Sequence, residues 1–162
     1  MAFYQGLVKV WHWLEDFALY ALTAGLLGLS IVQIWLRNVH SSGLVWGDSA
    51  LRVAVFWLAM VGAMIATRNG SHIAIDAITH YVSPQWQRRL AAFTGLAAAA
   101  VCLLAAWHSY LFVRDEYEYG GMAFGSVPAW LCEAIMPLAF AIIGLRLLWQ
   151  VFFPPTVDGA VA

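Results

Sequence analysis

Ionisable side chains fall inside the long apolar runs of this sequence at Glu15 with Asp16, His108, Glu133 and Arg146, and a polar stretch with Arg68, His72 and Asp76 follows the second run. Charged groups at such positions are costly in a hydrocarbon environment, so each is a functional candidate by default. His72 and Asp76 stand four residues apart, on one face of a helix, as an acid–base or metal pair would. No third ligand accompanies them in the sequence, and a metal site needs one. Glu15 and Asp16 interrupt the first apolar run while Arg146 interrupts the last, and the favoured reading is an ion pair between two helices. A proton relay is the sharper alternative, and one pair near one membrane face gives it little support.

Glu133 precedes Pro137 by four residues. Proline has no N–H for the Glu133 carbonyl, which predicts a kink there. The Glu133 carboxylate is expected to pair with Arg52 or Arg114. His108 stands alone in its run, and His12, His40, His72 and His80 fall near termini or loops, so no facing pair is available to ligate haem at mid-membrane. No nucleotide-binding loop, metal-ligand spacing or nucleophile motif occurs. No cofactor is expected.

These groups must be positioned by apolar elements. Of 162 residues, 63% are hydrophobic and only 10% charged. Soluble domains average about 25% charged residues, so the chain is expected to be an all-α integral membrane protein. Eight Lys and Arg against nine Asp and Glu leave no basic surface for nucleic acid. Cys102 and Cys132 lie in apolar runs at different depths, as small packing residues rather than a disulfide. Lys9 precedes an apolar run, but Glu15 and Asp16 break it and no clean cleavage site follows, so a removed signal peptide is not expected.

Phe17 to Leu36 carries no charge and is long enough to span. Tryptophans 11, 13 and 35 bracket it at the interfaces. The run from Val53 to Thr67 lies between Arg52 and Arg68 and needs both arginines to snorkel if it is to cross. After it, Ile75, Ile78 and Val82 form a short amphipathic stripe, read as an interfacial segment between helices 2 and 3. Ser83-Pro84 then starts the third helix, which is alanine-rich from Ala97 to Ala100 and suited to close packing. Residues 114–126 read as an acidic, aromatic, glycine-rich loop, and Pro128 opens the fourth span. The expectation is one four-helix membrane domain over 1–162, with spans at about 10–36, 50–68, 87–113 and 128–153. Placing both termini in the cytoplasm puts Lys9, Arg68, Arg88, Arg89 and Arg146 inside and Arg37, Arg52 and Arg114 outside, which the positive-inside rule favours.

Two stretches carry a resemblance. Trp57-Leu58-Ala59-Met60-Val61-Gly62-Ala63, followed by Arg68, Gly70, His72-Ile73 and Asp76, resembles the small membrane (Q-type, DctQ-like) subunit of tripartite ATP-independent periplasmic (TRAP) transporters. Gly125, Pro128-Ala129-Trp130, Pro137 and the Arg146 region are similar to the fourth helix of that family. The resemblance implies a non-catalytic scaffold in the bacterial inner membrane. Its partners would be a large elevator-type membrane subunit, a periplasmic substrate-binding protein and membrane lipids, and the system would drive cation-coupled, commonly sodium-coupled, uptake of an organic acid or similar solute. Arg68, Gly70, His72, Asp76, Glu133, Pro137 and Arg146 are then expected to serve as structural or subunit-contact residues. Asp115, Glu116, Tyr117 and Glu118 are the candidate periplasmic contact. The competing reading is a self-sufficient small transporter or a membrane electron carrier.

Overall fold

The computed structural model describes residues 2–40, 43–68 and 84–152. The chain runs α1 (Ala2–His40), α2 (Gly47–Arg68), α3 (Pro84–Tyr119), β1 (Met122–Phe124), β2 (Val127–Pro128), α4 (Ala129–Glu133) and α5 (Ile135–Phe152). Four helical stretches are long and apolar enough to cross a membrane: Lys9–Val39, Gly47–Arg68, Arg89–Tyr119 and Ala129–Phe152. The chain is a multi-pass membrane protein. The interfacial stripe expected between helices 2 and 3 lies outside the described residues.

The helices keep their polar groups bonded internally, as a hydrocarbon surrounding requires. The hydroxyls of Thr23, Ser30, Thr67 and Thr94 each donate to the carbonyl four residues back, at 2.6–2.9 Å. Large apolar side chains such as Tyr20, Ile31, Phe93 and Trp107 point outward. At about 1.5 Å per residue, α1 with its 39 residues is roughly 58 Å long, well beyond the hydrocarbon core of about 30 Å.

In space the helices follow the order α1, α2, α5, α3, because α1 packs on α2, α2 on α5, and α5 most extensively on α3. The core is thin and centred on α5: Ile135, Ala139, Ile143 and Leu147 meet Val61 and Met64 of α2 and Ala99 of α3. Small residues bring α3 and α5 together. Ala99 and Ala139 are wholly buried. A Cβ on Gly144 would lie 3.0 Å from the Leu103 side chain, and one on Gly95 would lie 2.6 Å from Val151. The alanine-rich face of the third helix therefore spends Ala99 on a contact within the chain.

Two expectations change. Asp115 to Tyr119 are not loop: α3 continues through them and ends at Gly120, whose φ of 72° and N–H bond to the Glu116 carbonyl (3.0 Å) form a left-handed stop. The acidic charges do not end the helix because Arg114 pairs with Glu118 one turn on, at 3.2 Å. The fourth span is also not one kinked helix opened by Pro128. That residue sits in a two-stranded hairpin with Met122, and a turn at Ala134 separates α4 from α5. Pro137 thereby falls in the first turn of α5, where its missing N–H costs no helical hydrogen bond.

Candidate functional site

The densest polar constellation joins three helices at one end of the molecule. Glu15 and Asp16 face it from α1, Arg68 from the last turn of α2, and Arg146 from α5. Arg146 Nη2 donates to Glu15 Oε1 at 2.5 Å, and its Nη1 donates to the Met64 carbonyl at 2.6 Å. Arg68 Nη2 donates to Asp16 Oδ1 at 2.9 Å, while its Nη1 reaches the His12 carbonyl at 3.3 Å and lies 3.6 Å from Glu15 Oε2. Trp11 Nε1 adds a 2.8 Å bond to Glu15 Oε1, and Gln150 caps the Thr67 carbonyl at 2.8 Å.

Two cations and two carboxylates balance, which is what burial demands. The Glu15 side chain is only 6% exposed, and those of Arg146 and Arg68 are 19% and 18% exposed. Taking such charges from water costs several kcal/mol per ion unless geometry and further hydrogen bonds offset it. Both arginines supply those extra bonds by donating to backbone carbonyls. The arrangement holds α1, α2 and α5 at one level. Among the described residues, no three His, Cys, Asp or Glu side chains converge as a metal would need.

A second polar joint closes the opposite end of the α1–α2 pair. Buried Gln33 exchanges hydrogen bonds with the backbone of Leu44, accepting at 3.2 Å and donating at 3.3 Å, and also donates to Asp48 at 3.2 Å. Arg37 pairs with Asp48 at 2.8 Å. Gly47 allows this approach, because a Cβ there would lie 2.6 Å from Gln33 Oε1. Between α2 and α4, Trp57 Nε1 donates to the Cys132 carbonyl at 2.7 Å, beside the turn at Ala134.

The structure places the candidate residues unevenly. Arg146 meets Glu15, the interhelical pairing read from sequence. Arg68, assigned to the headgroups, also turns inward onto Asp16 and Glu15. Gly70, His72 and Asp76 lie outside the described residues. Glu133 meets neither Arg52 nor Arg114: its Oε2 is buried without a hydrogen bond, and Arg114 is engaged by Glu118. Pro137 follows the helix break rather than kinking a helix. Asp115, Tyr117 and Glu118 are exposed on the last turns of α3 and Glu116 is half-buried, with Tyr117 edge-on to Trp130 at 5.5 Å. His108 is exposed on α3, opposite the seam through Ala99. The Gln33 joint was missed, although Gln33 is the one amide side chain in the charge-free run 17–36.

Residues 26–153 match the family described as "Tripartite ATP-independent periplasmic transporters, DctQ component". A curated relative is the sialic acid TRAP transporter permease protein SiaT of Haemophilus influenzae (strain 86-028NP). It is 23% identical over 131 residues, covering 80% of this chain and 21% of the relative. The chain thus spans about one fifth of that relative's length.

Proposed function

The chain belongs to the DctQ component family of tripartite ATP-independent periplasmic transporters, and from that premise we propose that it is a non-catalytic scaffold subunit. Its partner is a large membrane subunit that carries the solute by an elevator-like movement, driven by a cation gradient. A periplasmic binding protein delivers the solute, an organic acid or a related anion. The whole chain acts as one membrane unit in a bacterial inner membrane, with both termini in the cytoplasm.

The observation that carries this reading is the balanced joint of Glu15, Asp16, Arg68 and Arg146. An elevator needs one part that stays at fixed depth while another crosses. A joint that ties three helices at a common level suits the fixed part. Tryptophans exposed along the helices, among them Trp13, Trp35, Trp86 and Trp149, favour the interface and resist vertical displacement. The joint gathers the amino-terminal end of α1 with the carboxy-terminal ends of α2 and α5, which supports a shared side for the termini. The row of helices α1, α2, α5, α3 leaves broad faces for a partner.

Co-isolation tests the proposal. A tagged chain expressed with its neighbouring reading frames and extracted in mild detergent should recover a much larger membrane protein in equal amount. Recovery as a sole oligomer that transports solute in liposomes would overturn it.

A further inference from the structure

Two contacts fix the depth of His108, the lone histidine of α3. Arg146 bonds Glu15, and Glu15 with Asp16 marks one edge of the charge-free run 17–36. At about 1.5 Å per residue that run is roughly 30 Å long and fills the hydrocarbon core. On α5, Gly144 lies two residues from Arg146 toward the other membrane face, and a Cβ on Gly144 would be 3.5 Å from the Ala99 carbonyl. Ala99 of α3 therefore sits about 3 Å into the core. His108 is nine residues further along the antiparallel α3, or about 14 Å. It stands roughly 17 Å from one edge of the core and about 13 Å from the other, close to mid-bilayer.

Its direction follows from the helix repeat. At about 3.6 residues per turn, nine residues make two and a half turns, so His108 points directly away from Ala99 and from α5. Ala97, Val101, Leu104 and Phe112 recur on the same side and are exposed with it. α3 closes the row α1, α2, α5, α3, so no other long helix among the described residues covers that side. The His108 imidazole makes no hydrogen bond among the described residues. Hydrocarbon offers neither the donor nor the acceptor that an imidazole needs. Its one-carbon stem cannot carry it to the headgroups, as the long stems of lysine and arginine do.

Ionisable side chains at this depth face the interior of a helix bundle or a water-filled cavity. A single row of helices has no cavity on its outer side, so the bundle that takes in His108 is larger than this chain. We propose that the α3 face of Ala97, Val101, Leu104 and His108 packs against a transmembrane helix of the large membrane subunit, which presents a hydroxyl, amide or carboxylate side chain to the imidazole. Ala97, Ala98 and Ala100, all exposed, let a neighbouring backbone approach closely. The identity of the partner rests on the scaffold reading. The curated relative favours a larger companion over a second copy, because the matching module makes up only about one fifth of that single permease chain.

The test uses the full chain assembled with the large subunit from its neighbouring reading frame. With p-benzoylphenylalanine in place of Leu104, illumination should crosslink the chain to the large subunit. His108→Leu should weaken the complex about five-fold, the ratio that one net hydrogen bond supplies. His108→Gln, which can both donate and accept, should restore most of that loss. Melting of the isolated chain should not change in His108→Leu, because the imidazole bonds nothing within the described residues. A lowered melting temperature there would assign His108 a structural role and overturn the inference. An adduct only between two copies of this chain would also overturn it. So would an intact complex in which Leu104 yields no protein adduct and His108→Leu binds as tightly as the unaltered chain, and that result would leave the scaffold reading standing. Failure of the unaltered chain to bring down any large subunit would overturn both.

Discussion

Arg146 and Glu15, 131 residues apart in sequence, meet at 2.5 Å, and the same guanidinium reaches the Met64 carbonyl at 2.6 Å. One side chain of α5 thereby ties α1 to α2. In the row α1, α2, α5, α3 the outer helix α1 rests mainly on α2, and this arginine bonds α1 directly to the core helix.

Arg146→Ala should destabilise the chain by about 3–5 kcal/mol, because Glu15 would stay buried without its closest cation. Replacing both residues, with Glu15→Gln and Arg146→Ala, should cost less than the sum of the two single changes, since neither then strands a charge. Thermal melting in detergent measures all three variants. Additive losses would mean that the pair contributes no coupling.

The α3–α5 seam should reject bulk. Gly95→Val and Gly144→Val place methyl groups against Val151 and Leu103 and should each cost about 1–3 kcal/mol. Gly28→Ala enters open space and should be neutral or slightly stabilising. Melting temperature and monodispersity on size exclusion report the difference.

Trp57→Phe keeps most of the ring but removes the donor to the Cys132 carbonyl, a loss of about 1 kcal/mol. The larger effect should be local opening near Ala134. In a Cys102→Ser background, maleimide labelling of buried Cys132 should accelerate in the Trp57→Phe variant. An unchanged labelling rate would show that the contact does not hold α4 in place.

Gly47→Ala should disturb the turn between α1 and α2, because its methyl group would overlap the Gln33 amide. The expected cost is about 1–3 kcal/mol, through unsatisfied groups at Gln33 and Leu44. Gln33→Leu should cost a similar amount, and the double variant should add little more. Melting curves of the three chains check this.

Sequence made the spans legible because hydrophobic length is a strong signal. It also paired the first helix with Arg146, since lone opposite charges in apolar runs have few partners. It did not reveal that Arg68 joins the same cluster, because an arginine at a helix end reads equally well as solvated. The end of α3 was misplaced for a related reason: Asp115, Glu116 and Glu118 look loop-like in composition, yet Gly120 is the residue that stops the helix. Pro137 suggested a kink, but a proline in a first turn and one in a helix interior are distinguished only by where the helix begins. The Gln33 joint depends on how the returning chain at Leu44 meets α1, a tertiary fact that local pattern does not carry.

The central claim is that this chain supports a transporter without holding its solute, and Arg68→Ala tests it most directly. Uptake by cells carrying the assembled system is measured against solute concentration, alongside recovery of the complex. The account predicts a maximal rate that falls in proportion to the complex recovered, with an unchanged half-saturating concentration. A raised half-saturating concentration at full complex recovery would contradict it.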